Sequence, residues 1–248
     1  MFFSPTLLTL TSPHLNNDVR VICLSSGNSD GIGGVRRGEF VKSCRLLGVD
    51  VGAEGEATVY APDMPGGGPL GKAVVVEDEA LQDGMGVVWD SSHIATTVQH
   101  ILRQWSTQSR GGAWVPSIII TFDTHGISSH TNHISAYYGA KHYIHHSSPS
   151  TKLYTLTTTN LPRKYLSILD FPITYLSHIC RAKSLLLVLG SDGFKKARGA
   201  MTDAHVSQMR WFRWGWIWLS RYMVVNDFAE EDVLGAGSGS GKAGKKEL

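Results

Sequence analysis

His130 and His133 stand three residues apart, and Asp123 closes the apolar run Ile118–Phe122 a few residues upstream. Two imidazoles at i and i+3 near a helix start face one side. There one can ligate a metal ion while the other handles a proton or a developing charge. The apolar run reads as a buried strand, and in open α/β sheets ligands sit just beyond the carboxyl ends of strands. Asp123 falls on that rim, where a carboxylate can orient a histidine through its other ring nitrogen. The pair by itself is not specific: the chain holds eleven histidines, and two ligands are fewer than the three of a catalytic zinc.

Elements that would position these residues follow from periodicity. Residues 19–24 form an apolar strand that runs into a polar, glycine-rich loop, residues 25–33. Asn28 and Asp30 in that loop can reach sugar hydroxyls. The loop is neither G-x-G-x-x-G nor a Walker loop, so a nucleotide-binding Rossmann protein ranks well behind. Helices are expected over residues 2–11, 36–47, 91–105 (capped by Asp90) and 132–142. Further strands are expected at Ala73–Val76, 153–157 and 184–189. Alternating strands and helices imply an α/β, Rossmann-like fold: a mostly parallel sheet with helices on both faces.

Composition bounds the rest. The chain has 248 residues, 42% hydrophobic and 18% charged, enough for one α/β domain with its own core. A net charge of +2 is too small to argue for nucleic acid, and none is expected as a partner. Cys23, Cys44 and Cys180 are widely spaced and read as buried free thiols. Residues 52–72 hold six glycines and three prolines and read as a flexible surface insertion. Residues 1–228 are taken as the domain and 229–248 as a disordered low-complexity tail. The last four residues, Lys-Lys-Glu-Leu, resemble a luminal retrieval signal by chance, since no secretory signal opens the chain.

An ordered set of segments extends the argument beyond the histidine pair. It comprises residues 19–33, Arg36-x-x-Glu39, Leu47-Gly-Val49, Leu81-Gln-Asp-Gly84, His130-x-x-His133, Asn160-Leu-Pro-Arg-Lys-Tyr165, Ser207-Gln-Met-Arg-Trp-Phe-Arg-Trp214 and Ser220-Arg-Tyr-Met223. Together these resemble the N-acetylglucosaminyl-phosphatidylinositol de-N-acetylases, the eukaryotic members of the LmbE-like zinc deacetylases. The resemblance covers roughly residues 1–228 apart from the insertion. It implies hydrolysis of the acetamide of N-acetylglucosaminyl-phosphatidylinositol during glycosylphosphatidylinositol-anchor assembly, at the cytosolic face of the endoplasmic reticulum membrane. It also implies a zinc cofactor with His133 as a ligand, His130 as the catalytic residue that stabilises the oxyanion or donates a proton, and Arg36 and Asp83 as contacts to the sugar or its phosphate. Asp123 is placed with His130 in the catalytic set. On residue type alone, Arg36 would be a surface partner of Glu39 and Asp83-Gly84 a turn.

The resemblance also carries a departure. Family members place His-Pro-Asp-Asp-Glu, with two zinc ligands and the general-base aspartate, just ahead of a segment like Met1-Phe-Phe-Ser-Pro-Thr6. The expectation is therefore a missing first strand, a missing motif and a missing membrane anchor. This leaves an alternative function: a truncated, non-catalytic variant that keeps lipid or partner binding. Residues 211–225 add four tryptophans, a phenylalanine, a tyrosine and two arginines. That mixture suits a membrane surface as well as a helix docked on the core.

Overall fold

The computed structural model describes residues 2–28, 31–51, 58–62, 69–109 and 113–233. Its elements run α1 (Ser4–Leu10), β1 (Val21–Cys23), α2 (Gly33–Leu46), β2 (Thr58–Tyr60), β3 (Ala73–Val76), α3 (Ser91–Gln108), β4 (Ile118–Phe122), α4 (Gly126–Ser129), α5 (Thr131–Ser147), β5 (Lys152–Leu156), α6 (Leu161–Lys164), α7 (Phe171–Ile179), β6 (Ser184–Val188), α8 (Ser191–Thr202), α9 (Trp211–Leu219) and β7 (Val225–Glu231). The α/β class holds. Among the described residues the strands form a parallel sheet ordered β1-β3-β2 and a second sheet ordered β4-β5-β7-β6. In the second sheet β4 and β5 are parallel, while β7 runs antiparallel to β5 and to β6. β1 and β4 are each an edge of their sheet, and both lean on one core, through Ile22 and Ile119.

That core is made by α3 and α5. Ile94, Ile101 and Trp105 of α3 and Tyr143 and Ile144 of α5 are buried together with Val74 and Val76 of β3. Each such side chain contributes roughly 1.5–3 kcal/mol by leaving water. The two helices approach closely at Gly139, where a Cβ would stand 2.3 Å from Ile94. Asp90 caps α3 as its position implies, accepting from the His93 amide at 2.8 Å.

Two boundaries differ from expectation. Thr58–Tyr60 lies inside the glycine-rich insertion yet pairs with β3, and Tyr60 is buried. A β-branched and aromatic triplet can add an edge strand although glycines surround it. β7 continues to Glu231, and Val233 joins the core. The run from Val225 to Glu231 hides its strand because Asn226 and Asp227 are polar yet fully buried. Asn226 Oδ1 accepts from the Thr6 hydroxyl at 2.6 Å, and its amide donates to the Phe2 carbonyl at 3.0 Å. β7 thereby anchors the start of α1. Of the cysteines, Cys44 is buried but Cys180 is exposed. Residues 234–248, Asp30 and most of the insertion lie outside the described residues.

Candidate active site

The parallel register of β4 on β5 aligns Phe122 with Leu156, so both strands end at one edge. The turns that leave this edge are locked together by Asp123. Its Oδ1 accepts from the amides of His125 and Gly126, each at 3.0 Å, and from the Thr158 hydroxyl at 2.6 Å. Its Oδ2 accepts from the Thr158 amide at 2.6 Å. Among the described residues Asp123 therefore touches no imidazole, and its expected direct place beside a histidine is corrected: both oxygens are consumed by the turns. It acts one step removed, by fixing the loop.

That loop is strained. Ile127 has φ 63° and Ser129 φ 56°, left-handed values that a β-branched residue rarely adopts. Burial of Ile127 and a 2.9 Å bond from its amide to the Thr158 hydroxyl hold it there. The result presents the Gly126 carbonyl to His133 Nδ1 at 3.0 Å. A carbonyl only accepts, so Nδ1 carries the proton and Nε2 keeps its lone pair. His130, the N-cap of α5, does the opposite: its Nδ1 accepts from the Asn132 amide at 3.3 Å. In the neutral ring this puts the proton on Nε2. The two rings stack at 4.8 Å, one offering a donor and the other a lone pair.

Burial pushes the His133 pKa down from 6.5 to about 4; the Gly126 carbonyl opposes this, and the charges of His130 and Lys164 add to it. His133 is neutral at pH 7, which is the form that ligates or accepts. Phe122 stacks on it at 3.9 Å, and Phe2 meets it edge-on at 5.6 Å. Lys164, buried at the end of α6, donates to the Ser128 hydroxyl in the same loop. Burial lowers its pKa. Lys164 belongs to the quoted motif Asn160–Tyr165, and its place at the end of α6 brings its charge to the histidines.

Two of the remaining expected residues, Arg36 and Asp83, pair with each other, and the segment that carries Asp83 reaches α5. Arg36 lies 3.7 Å from Asp83 and donates to the Gly27 carbonyl. The segment after Asp83 docks on the first turn of α5. The Gly84 amide donates to Asn132 Oδ1 at 3.2 Å, and Asn132 Nδ2 donates to the Val87 carbonyl at 3.1 Å. Glu39 takes no part in the surface pairing its spacing suggests. Its carboxylate accepts from the Ser207 amide at 2.6 Å and hydroxyl at 2.8 Å. Burial pushes the Glu39 pKa up, but these bonds outweigh it and hold the carboxyl below its usual range. Asn28 uses its oxygen on the Gly33 amide at 2.8 Å, at the start of α2. It lines a cavity of about 440 Å³ with Ser25, Arg37, Glu77 and Gln82, a cleft that the two histidines do not line.

Comparison with known proteins decides the family. Residues 1–144 match the family described as PIG-L, GlcNAc-PI de-N-acetylase. A probable N-acetylglucosaminyl-phosphatidylinositol de-N-acetylase of Schizosaccharomyces pombe is 35% identical over 91% of this chain and 79% of that protein. The chain belongs to the GlcNAc-PI de-N-acetylase family. Relatives bearing that name in Arthroderma benhamiae, 33% identical over 94% of the chain and 84% of the relative, and in Bos taurus, 30% identical over 91% and 76%, agree.

Membership explains other shared segments. Arg163 and Arg221, from two of the quoted motifs, converge on Asp170, which is fully buried. Arg163 donates from Nε at 2.7 Å and from Nη2 at 3.1 Å, and Arg221 Nε lies 3.0 Å away. These motifs build the scaffold behind the site. As to a metal, His133 Nε2 is dressed as a ligand by the Gly126 carbonyl. Yet no three His, Cys, Asp or Glu side chains converge among the described residues. A catalytic zinc generally takes three protein ligands, so the described residues do not make a zinc site by themselves.

Proposed function

We infer that this de-N-acetylase family member hydrolyses the acetamide of N-acetylglucosaminyl-phosphatidylinositol, giving glucosaminyl-phosphatidylinositol and acetate. The observation that carries the reading is the pair of oppositely dressed histidines at the carboxyl edge of β4, in a chain of this family. His130 Nε2–H is the donor suited to the amide oxygen as it becomes an oxyanion, and then to the leaving amine. His133 keeps an unprotonated nitrogen toward the same space. Arg36 and Asp83 flank the sugar, with Asn28 on the loop that precedes α2. Asp123 sets the geometry from behind.

The family reading carries zinc, with His133 as one ligand; when bound, zinc activates water and polarises the amide. The substrate is a membrane glycolipid, and this reading places the protein at the cytosolic face of the endoplasmic reticulum membrane. Among the described residues no helix is long and apolar enough to cross a membrane. Contact with the lipid surface falls instead to α9, where Trp211 is 87% and Trp218 51% exposed.

Acetate release from the glycolipid tests the reading. Replacing His130 by Ala should lower kcat about 10²–10³-fold, and His133→Ala should abolish turnover. Full activity in either variant sinks the assignment. The incomplete ligand set favours one other reading, a polypeptide that keeps the fold and binds the glycolipid without turnover. Metal analysis separates them: about one zinc per chain supports hydrolysis, and none, with lipid binding intact, supports the second.

A further inference from the structure

α9 shows its bare aromatics to solvent and turns Arg213, Trp216, Ile217 and Ser220 toward the body of the protein. An arginine on such a stripe calls for a counter-charge, because a buried unpaired charge is costly. Arg213 finds none among the described residues. Its Nη1 donates to the neutral Oε1 of Gln208 at 3.4 Å. Burial, with the like charges of Arg36 and Arg210 nearby, holds its pKa below the usual arginine value.

The arrangement is built rather than accidental. Glu39, one turn along α2 from Arg36, accepts from Gln208 Nε2 at 3.4 Å and so turns the amide oxygen toward Arg213. The site is also close. Trp216, one turn on from Arg213, meets Phe2 edge-on at 5.3 Å, and Phe2 meets His133 at 5.6 Å. Arg213 therefore shares the inward stripe of α9 with the residue that reaches His133 through Phe2, and it is followed and preceded in the helix by exposed aromatics, among them Trp211 and Phe212.

We propose that Arg213, with Arg36 beside it, binds the phosphodiester of the inositol phospholipid and makes the site selective for a phosphorylated glycolipid. This rests on the deacetylase reading above. In such a substrate the inositol ring separates the amino sugar from the phosphate, and the acyl chains continue beyond it. With the acetamide at the histidines, the phosphate must fall toward the lipid-facing aromatics. A guanidinium fork meets two phosphate oxygens at once, which an ammonium cannot. The bound anion also gives Arg213 the counter-charge that the neutral Gln208 amide does not supply.

The test compares wild type with Arg213→Gln and Arg213→Lys on two substrates, N-acetylglucosaminyl-phosphatidylinositol and the phosphate-free N-acetylglucosaminyl-inositol. Arg213→Gln should raise KM on the first about tenfold or more, leave kcat near wild type, and leave kcat/KM on the second unchanged. Arg213→Lys should recover part of the loss. Equal losses on both substrates, or none on either, overturn the proposal. A second arm needs no turnover: calorimetry with glycerophosphoinositol against myo-inositol. Binding of the phosphodiester alone, lost in Arg213→Gln, supports the proposal, and failure of wild type to prefer it overturns it. If wild type binds the phosphodiester but releases no acetate, the deacetylase reading falls and the anion site stands.

Discussion

Two arginine centres, one around Asp170 and one around Arg213, are built on opposite terms. Around Asp170, Arg163 and Arg221 share one fully buried carboxylate, with the Thr174 hydroxyl accepting from both guanidinium groups at 3.0 Å. Around Arg213, three guanidinium groups stand near one another, and the group on the inward stripe meets a neutral amide. The first centre is organised by a carboxylate inside the protein and ties the segment 160–174 to the chain before β7. In the second, Arg36 has Asp83 at 3.7 Å, while Arg213 meets the Gln208 amide oxygen. Arginine in a motif thus has two meanings, and only its counter-charge separates them.

Removing the shared carboxylate should have the largest effect. Asp170→Ala leaves Arg221 buried, and Arg163 half-buried, without their carboxylate and should cost about 3–5 kcal/mol in urea unfolding; a loss under about 1 kcal/mol would erase the distinction. Arg221→Gln breaks the same centre and should be the next most damaging. Arg213→Gln should leave the unfolding midpoint nearly unchanged, within about 0.5 kcal/mol. A large loss there would make the second centre structural too.

Acid sharpens the contrast more gently. Burial lowers the His205 pKa from 6.5 to about 4, with Glu39 opposing and the Arg213 charge adding to it. Between those values the unfolded chain binds a proton that the folded chain refuses. His205 therefore favours the fold above pH 6.5, and its contribution drains away as pH falls toward 4. His205→Asn should flatten stability against pH across that window, by no more than roughly 3 kcal/mol. An unchanged slope would locate the acid sensitivity elsewhere. The smallest effect on stability belongs to Trp211→Ser with Trp218→Ser. Binding to phosphatidylinositol vesicles should weaken severalfold while the thermal midpoint stays put. Unchanged vesicle binding would return α9 to a role in packing alone.

Much of the scaffold could be read from residue order. Ile94, Ile101 and Trp105 recur with helical period, and Asp90 sits where a cap belongs, because these signals are local. β7 could not be read, since Asn226 and Asp227 look like surface residues until Thr6, Phe2 and Arg181 supply their partners. β2 was hidden by its glycine-rich surroundings. At the site, the spacing of His130 and His133 was visible, as was the family. The opposite dressing of the two rings was not, because it depends on a carbonyl in the preceding loop.

The sequence by itself determined the α/β class, the histidine pair and the family, since periodicity and motif order survive without coordinates. Tertiary structure decided that Asp123 braces turns rather than touching a ring, and that Glu39 serves Ser207 and Gln208 rather than Arg36. It also decided that Arg163 and Arg221 meet a carboxylate and Arg213 an amide. Each of those outcomes depends on partners far apart in the chain, 35 residues for Thr158 on Asp123 and 168 for Ser207 on Glu39. A hydrogen bond or ion pair is set by distance and direction in space, and no local pattern encodes either.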